Sequence, residues 1–469
     1  MTNRLRTFDF VAGLFLAGCY FAMLVGTTDI GFSRDEGFYF KAAEEYSWWY
    51  DELLDDPSSA FTKKSIDRHF AYNPEHPALP KMLYGLSWRL FGKMHDPKTE
   101  PWARVWYHNS SPPKPILGIM KESTAMRLPA LLINSLLVMF IWLFAAEYFS
   151  RRTALVASLS WMFLPHAFWH SHLACFDMPV VAMWFLVAWL FLRATPPLEE
   201  RLRNRRQTWF RAILAGVAWG LAMSTKHNAW FIPAVFLAWY MIARYDEVLP
   251  RNGIGRRRLA FGNIPPAFWA MLVLGPLVLF LTWPKLWFDP IEHLKFYIAR
   301  HAKHEFYWAY FFGFLHVKPP FPISFPFVMS AMTIPVPVIL LSLTGLARAF
   351  REWIRRRADR FQLIRRPLPV RGNDTILFVF LNFLFPFLII AAPNTPIFGG
   401  TKHWMPGVAF LAIFAGLGFE TVLDAIRGLG ERFAAFNRRT VRFAVALACL
   451  AVIMIPAAMV DLLFFFGIK

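Results

Sequence analysis

Two adjacent carboxylates, Asp35 and Glu36, stand a few residues beyond the end of the first apolar run. Carboxylates at a membrane surface are costly to desolvate unless they are partnered or at work. One held there can take a proton from an acceptor hydroxyl as a general base. A lone aspartate in such a place is more commonly a solvated loop acid, so the weight falls on what accompanies the pair. Asn73-Pro74-Glu75-His76-Pro77-Ala78-Leu79-Pro80 comes next, then Arg127-Leu128-Pro129 and Phe176-Asp177-Met178-Pro179. Ser224-Thr225-Lys226-His227-Asn228 follows, then Trp283 to Pro290, and finally Phe398-Gly399-Gly400-Thr401-Lys402-His403-Trp404-Met405-Pro406. Arg127, Lys226, Lys402 and His403 supply cationic groups in this series, although any one of them could simply snorkel at an interface. His166 and His170, four apart on one helical face with Asp177 nearby, are weak metal-ligand candidates, as are His301, His304 and Glu305. No HExxH signature accompanies them, and histidines also suit a membrane interface. No Gly-rich phosphate loop or dinucleotide fingerprint is present.

The elements that position these residues are membrane helices. Of 469 residues, 57% are hydrophobic and only 17% charged, too apolar for a soluble chain. Apolar runs recur at roughly the 20 residues a helix needs to cross a bilayer, and uninterrupted runs select helices over barrel strands. We expect an all-α polytopic membrane protein forming one transmembrane domain over 1–469. Its spans fall at 8–28, 127–148, 153–171, 176–194, 209–225, 228–244, 264–284, 326–347, 374–391, 404–422 and 441–463, about eleven in all. The first run is long for a signal-peptide core and lacks a small-residue cleavage site, so it reads as a retained helix.

A net charge of +19 would suggest nucleic acid in a soluble protein. Here the arginines crowd alternate loops: Arg151 and Arg152, Arg201 to Arg206, Arg251 to Arg258, Arg348 to Arg371, and Arg427 to Arg439. That parity implies a cytoplasmic N-terminus and no nucleic-acid partner. It also places all 13 histidines on or near the outer side, with the acid pair. Two outer segments are long. Segment 29–126 carries candidate interfacial helices at 36–54 and 78–91, and segment 285–325 is rich in aromatics, histidine and proline. Cys19, Cys175 and Cys449 match no zinc or disulfide spacing.

In order, spacing and shared side of the membrane, these motifs resemble the GT-C membrane glycosyltransferases over nearly the whole chain. The likeness is to family 39, which includes protein O-mannosyltransferases and lipid A aminoarabinose transferases. The resemblance implies the GT-C fold, a polyprenyl-phosphate-linked sugar as donor, and a protein, glycolipid or polysaccharide acceptor. Catalysis would be inverting, on the outer (periplasmic) face of a bacterial-type inner membrane, with no cofactor required. Asp35 looks like the family's catalytic base and Glu36 like its usual neighbour. Glu75-His76-Pro77 is similar to a segment whose basic residue faces the donor phosphate, but His76 stands where some relatives have lysine, and Ala78 where a second proline is usual. A neutral imidazole attracts an anion less than an ammonium does. Breaking the anomeric bond places negative charge on the leaving phosphate, which Arg127, Lys226, Lys402 and His403 would meet, with Asp177 beside them. The rival reading is a transporter or flippase of lipid-linked sugars. Transporters usually keep functional charge near the midplane on broken, repeated helices. Here the charge lies at the outer boundary.

Overall fold

The computed structural model describes residues 4–94, 114–251, 256–303, 305–362 and 373–430, with scattered positions between 443 and 459. In chain order the helices are α1 (Thr7–Gly26), α2 (Arg34–Asp55), α3 (Pro57–Ala60), α4 (Lys63–His69), α5 (Leu79–Phe91) and α6 (Glu122–Tyr148). Then come α7 (Arg151–Met162), α8 (Pro165–Ser171), α9 (Asp177–Ala194), α10 (Leu198–Arg203), α11 (Arg205–Met223) and α12 (Ile232–Val248). The last six are α13 (Pro266–Thr282), α14 (Pro290–Ala302), α15 (Phe325–Thr333), α16 (Val336–Gln362), α17 (Asn373–Ala391) and α18 (Met405–Gly430). A single antiparallel hairpin, β1 (Ala309–Phe311) with β2 (Phe314–His316), interrupts the all-helical pattern among the described residues.

The expected spans map onto these helices with three informative breaks. The 153–171 run divides into α7 and α8 because Pro165, lacking an N–H, opens a new helix. The 326–347 run divides into α15 and α16 just before Pro335 for the same reason. The 228–244 run begins as a tight 3₁₀ turn, His227–Phe231, before α12. Among the described residues, four helices are long and apolar enough to cross a membrane unaided: α1, α6, α9 and the Met405–Gly428 part of α18. α13 and residues Thr375–Ala391 of α17 are apolar but shorter. The 441–463 span lies almost wholly outside the described residues.

α1 packs on α6, α6 on α7 and α9, α9 on α11 and α18, α11 on α13, and α16 on α18. Lipid tails are as apolar as leucine, so helices in a bilayer associate by close van der Waals approach, which small residues permit. α16 and α18 show this directly. A Cβ on Gly345 would collide with the Phe414 carbonyl, and one on Gly418 with the Leu341 carbonyl.

In segment 29–126 the described residues include α2 and α5, which pack together. α2 buries Tyr39, Phe40, Ala43 and Tyr46 at helical spacing, and α5 answers with Tyr84 and Trp88. Gly85 lets the backbones meet, since a Cβ there would strike the Ala43 carbonyl. A capping box starts α2. The Ser33 hydroxyl accepts the Glu36 N–H at 3.3 Å, and the Glu36 carboxylate accepts the Ser33 N–H at 3.0 Å. The beginning of α2 is therefore fixed, and with it the direction of every side chain in its first turn.

Candidate active site

The paired carboxylates go separate ways. Consecutive residues on a helix point about 100° apart, so Glu36 turns into the protein while Asp35 stays at its edge. Glu36 is fully buried beneath Arg127, whose side chain is 1% exposed. Arg127 donates Nε to Glu36 Oε1 at 2.8 Å and Nη2 to Oε2 at 2.9 Å. Its other N–H groups go to the carbonyls of Thr28 (3.0 Å), Ile30 (3.3 Å) and Gly31 (3.0 Å). A guanidinium has five N–H donors, and all five are spent. The carboxylate is equally full, because Oε1 also accepts Ala174 N–H at 2.9 Å and Oε2 accepts Ser33 N–H. Glu36 therefore has no site left to take a proton, which leaves it an orienting part beside Asp35, and Arg127 has no donor left for the phosphate it was expected to meet. Together they clamp the α1–α2 connection against α6 and the loop before α9.

Asp35 keeps 37% of its side chain exposed and accepts a hydrogen bond from Lys402 Nζ at 2.7 Å. Lys402 belongs to a 3₁₀ turn, Gly400–His403, entered through two left-handed glycines, Gly399 and Gly400, each at φ 64°. Its aliphatic stem lies over Gly399, where any Cβ would collide with Lys402 Cε. The glycine pair thus has a job: it brings the lysine across to α2. Burial alone would lower the pKa of Lys402, but the carboxylates of Asp177 and Asp35 reverse this and raise it, so it stays charged.

Asp177 opens α9 and is paired with Lys226, which follows α11, at 2.5 Å, both side chains under a tenth exposed. Two acid–lysine pairs therefore stand at one end of the bundle, an open pair (Asp35 and Lys402) and a buried one (Asp177 and Lys226). His403 packs its ring on Phe398 at 4.5 Å. His76 lies among aromatic rings, 5.8 Å from Tyr39 and 5.1 Å from Phe176 by ring centroids. Burial pushes its pKa well down, so it is a neutral group and not the cation that a phosphate role would want. Glu75 turns to Asn73, whose Nδ2 donates to it at 2.7 Å.

The weak metal candidates do not converge. The rings of His166 and His170 are 6.5 Å apart, and His166 Nδ1 meets Thr401 Oγ1 at 3.2 Å. Among the described residues, no three His, Cys, Asp or Glu side chains are grouped to hold a metal ion. His95, His108 and His304 lie outside the described residues. His172 is a strap, with Nε2 on Thr27 Oγ1 at 2.8 Å and Nδ1 on the Phe168 carbonyl at 2.9 Å.

Sequence reasoning missed Lys81. It is fully buried, and its ammonium donates to the Asn73 carbonyl (2.7 Å), Asn73 Oδ1 (3.2 Å) and the His76 carbonyl (3.0 Å). It ties down the loop that presents Glu75 and His76, with Asn73 in a left-handed conformation at φ 54°. Burial, opposed by Glu75, pushes its pKa down to about 7. The signal was available: Lys81 lies on the face of α5 that also carries Tyr84, Gly85 and Trp88.

This architecture is shared with solved proteins whose sequences differ widely from this one. ArnT from Cupriavidus metallidurans in its apo state superposes with a TM-score of 0.55 at 14% identity, covering 97% of this chain and 71% of that one. ArnT bound to undecaprenyl phosphate gives a TM-score of 0.54 at 14% identity, covering 97% and 72%. The archaeal oligosaccharyltransferase AglB from Archaeoglobus fulgidus was solved in complex with an inhibitory peptide and a dolichol-phosphate. It gives 0.55 at 12% identity, covering 96% of this chain and 55% of that one, so this chain spans about half of AglB. The family model described as dolichyl-phosphate-mannose-protein mannosyltransferase matches residues 116–253, a stretch that contains Arg127, Asp177 and Lys226. No curated protein matches the chain in sequence.

Proposed function

We propose that this chain is a glycosyltransferase that moves a sugar, hexosyl or pentosyl, from a polyprenyl-phosphate carrier to a protein, lipid or polysaccharide acceptor. Asp35 removes the proton from the acceptor group. The acceptor atom then bonds to the anomeric carbon as the bond from that carbon to the phosphate oxygen breaks, and polyprenyl phosphate leaves. Attack opposite the leaving group inverts the anomeric centre. The hydrogen bond from Lys402 at 2.7 Å holds the Asp35 carboxylate in place to accept that proton. An ammonium has three N–H donors. With one on Asp35, Lys402 offers the others to the oxygen on which negative charge develops, and Lys226 adds charge behind it. These lysines supply the charge neutralisation that a metal would otherwise bring, so the reaction proceeds without one.

The observation that carries this reading is the Asp35–Lys402 pair, a solvent-open carboxylate held by a lysine at one end of a helix bundle. ArnT, of the same fold, binds undecaprenyl phosphate. The chain sits, with about eleven spans and a cytoplasmic N-terminus, in a bacterial-type inner membrane, and the pair faces the periplasm. The arginine-rich alternate loops support that orientation.

The test is release of radiolabelled sugar from polyprenyl phosphosugars in proteoliposomes, comparing wild type with Asp35→Asn. Turnover is expected to fall by about 10²–10⁴-fold, the usual worth of a general base, while donor binding survives. Passage of the intact lipid-linked sugar across the bilayer, equal in both proteins, would make the chain a flippase and defeat this assignment.

A further inference from the structure

Next to the two acid–lysine pairs lies a second cluster that the transfer chemistry does not use. His227 follows Lys226 directly, and its ring stands 4.2 Å from that of His301 on α14. His301 lies 5.8 Å from His76 and 4.5 Å from Tyr297. Trp230, on the same 3₁₀ turn as His227, packs 5.4 Å from Tyr297. The cluster adjoins the charged site twice, through His227 beside Lys226 and through His76 against Phe176, the neighbour of Asp177.

His301 Nδ1 meets the Tyr297 carbonyl at 2.8 Å, but four other polar atoms of the cluster are unpaired. His76 Nδ1, His227 Nδ1, Trp230 Nε1 and Tyr297 Oη are each buried without a hydrogen-bond partner, and Tyr297 as a whole is only 2% exposed. Native proteins pair nearly all buried polar atoms, because an unmade hydrogen bond forfeits the solvation the group had in water. Four unpaired atoms on one contiguous set of rings therefore call for an occupant that brings hydrogen bonds with it. The chemistry of the set says which kind. A phenol and neutral imidazoles both donate and accept, and an indole only donates. Burial pushes the pKa of His76 and of His227 well down, so neither offers a positive charge at neutral pH. A phosphate would choose Lys402 and Lys226 instead. Neutral donors and acceptors set on aromatic walls match a ring with hydroxyl edges and C–H faces.

We propose that His76, His227, Trp230 and Tyr297 form the subsite for the sugar ring of the donor, a role that rests on the transferase reading above. With the phosphate at the lysines, the ring reaches the neighbouring cluster and completes its open hydrogen bonds. A site whose buried polar groups are paired only by substrate hydroxyls discriminates strongly against a ligand that lacks them. The subsite thus selects the sugar, while the lysines accept any polyprenyl phosphate.

The experiment measures affinities for undecaprenyl phosphate and for undecaprenyl phosphomannose, phosphoglucose and phospho-aminoarabinose, in wild type, Tyr297→Phe and His227→Phe. Wild type is expected to bind at least one phosphosugar about tenfold or more tighter than undecaprenyl phosphate. Each variant is expected to lose most of that margin and to keep its affinity for undecaprenyl phosphate within about twofold. Tyr297→Phe also separates binding from folding: it removes an unpaired hydroxyl and keeps the ring, so its melting temperature stays level or rises. Retention of the full margin in both variants would overturn the subsite and leave the transferase reading intact, as would a wild type that binds no phosphosugar more tightly than undecaprenyl phosphate. A wild type that fails to bind undecaprenyl phosphate at all would overturn both.

Discussion

Replacing Arg127 by methionine should damage the fold and leave the binding of polyprenyl phosphate intact. The substitution keeps an unbranched stem but leaves the Glu36 carboxylate buried without its ion-pair partner, and it strips three carbonyls, of Thr28, Ile30 and Gly31, of their donor. Removing one partner of a buried ion pair costs about 3–5 kcal/mol, or roughly two to three and a half orders of magnitude in the folding equilibrium. The stranded carbonyls push the cost toward the upper end. In contrast, Glu36→Gln with Arg127→Met removes both charges, and the double variant should recover about 1–3 kcal/mol relative to the sum of the singles. Thermal unfolding in detergent, followed by tryptophan fluorescence across the four proteins, gives the cycle. At a temperature where Arg127→Met is still folded, its affinity for undecaprenyl phosphate should match wild type. An Arg127→Met protein that melts like wild type but no longer binds undecaprenyl phosphate would refute this account and restore the phosphate role that the sequence suggested.

Lys402→Met should lower kcat/KM by about 10–100-fold, the worth of a charge-assisted hydrogen bond of 1.5–3 kcal/mol, and Lys402→Arg should recover part of it; equal activity in wild type and both variants would count against the lysine. Lys81 predicts a pH dependence. Its pKa falls to about 7 in the native state from 10.5, so between those values the unfolded chain binds a proton the native chain does not, and stability rises with pH across that window. Melting temperatures from pH 7 to 10 should show this rise in wild type and a flatter profile in Lys81→Met. Treatment with a chelator should leave sugar transfer unchanged; loss of activity restored by a divalent metal would show that the lysines do not suffice.

The helices were legible because membrane spans announce themselves by length and apolarity, and their breaks failed to show where proline interrupts an otherwise unbroken apolar run, as at Pro165 and Pro335. Within the site, position along the chain was legible and direction was not. Asp35, Lys402, Asp177 and Lys226 come together from α2, the turn before α18, the start of α9 and the end of α11, and all four had been marked by their place at helix ends. What no spacing revealed was who pairs with whom. Arg127 looked like a phosphate ligand because it begins a helix on the expected outer side, and Glu36 looked like a partner of Asp35 because it is adjacent. Lys81 and the ring cluster around His301 were missed for a related reason. The partners of Lys81 are carbonyls of the irregular loop just before its own helix, and the ring cluster gathers His76, His227 and Trp230 from separate segments onto α14, with hydrogen bonds left unmade.

The roles proposed for Asp35 and Glu36 rest on one geometric fact, which accounts for two acids standing together. A base must point repeatably at its substrate, and a partly exposed aspartate in the first turn of a helix would otherwise move with that turn. Glu36 stops the movement. Its carboxylate caps α2 through the Ser33 N–H, grips the Ala174 N–H beside α9, and holds Arg127 on α6. Three separate segments are thus tied to the residue next to Asp35. Asp177 is only three residues beyond Ala174, so the same ties hold the loop that leads into the second acid–lysine pair. The buried carboxylate gives up proton chemistry and supplies position. Its neighbour, turned about 100° away, keeps an open face and a lysine partner. On this view, Glu36→Gln should lower turnover through misplacement of Asp35, so the loss in kcat should come with a looser α2 start, visible as faster hydrogen exchange at the Ser33 and Glu36 amides. A fall in kcat with unchanged exchange there would mean that Glu36 acts on the substrate directly.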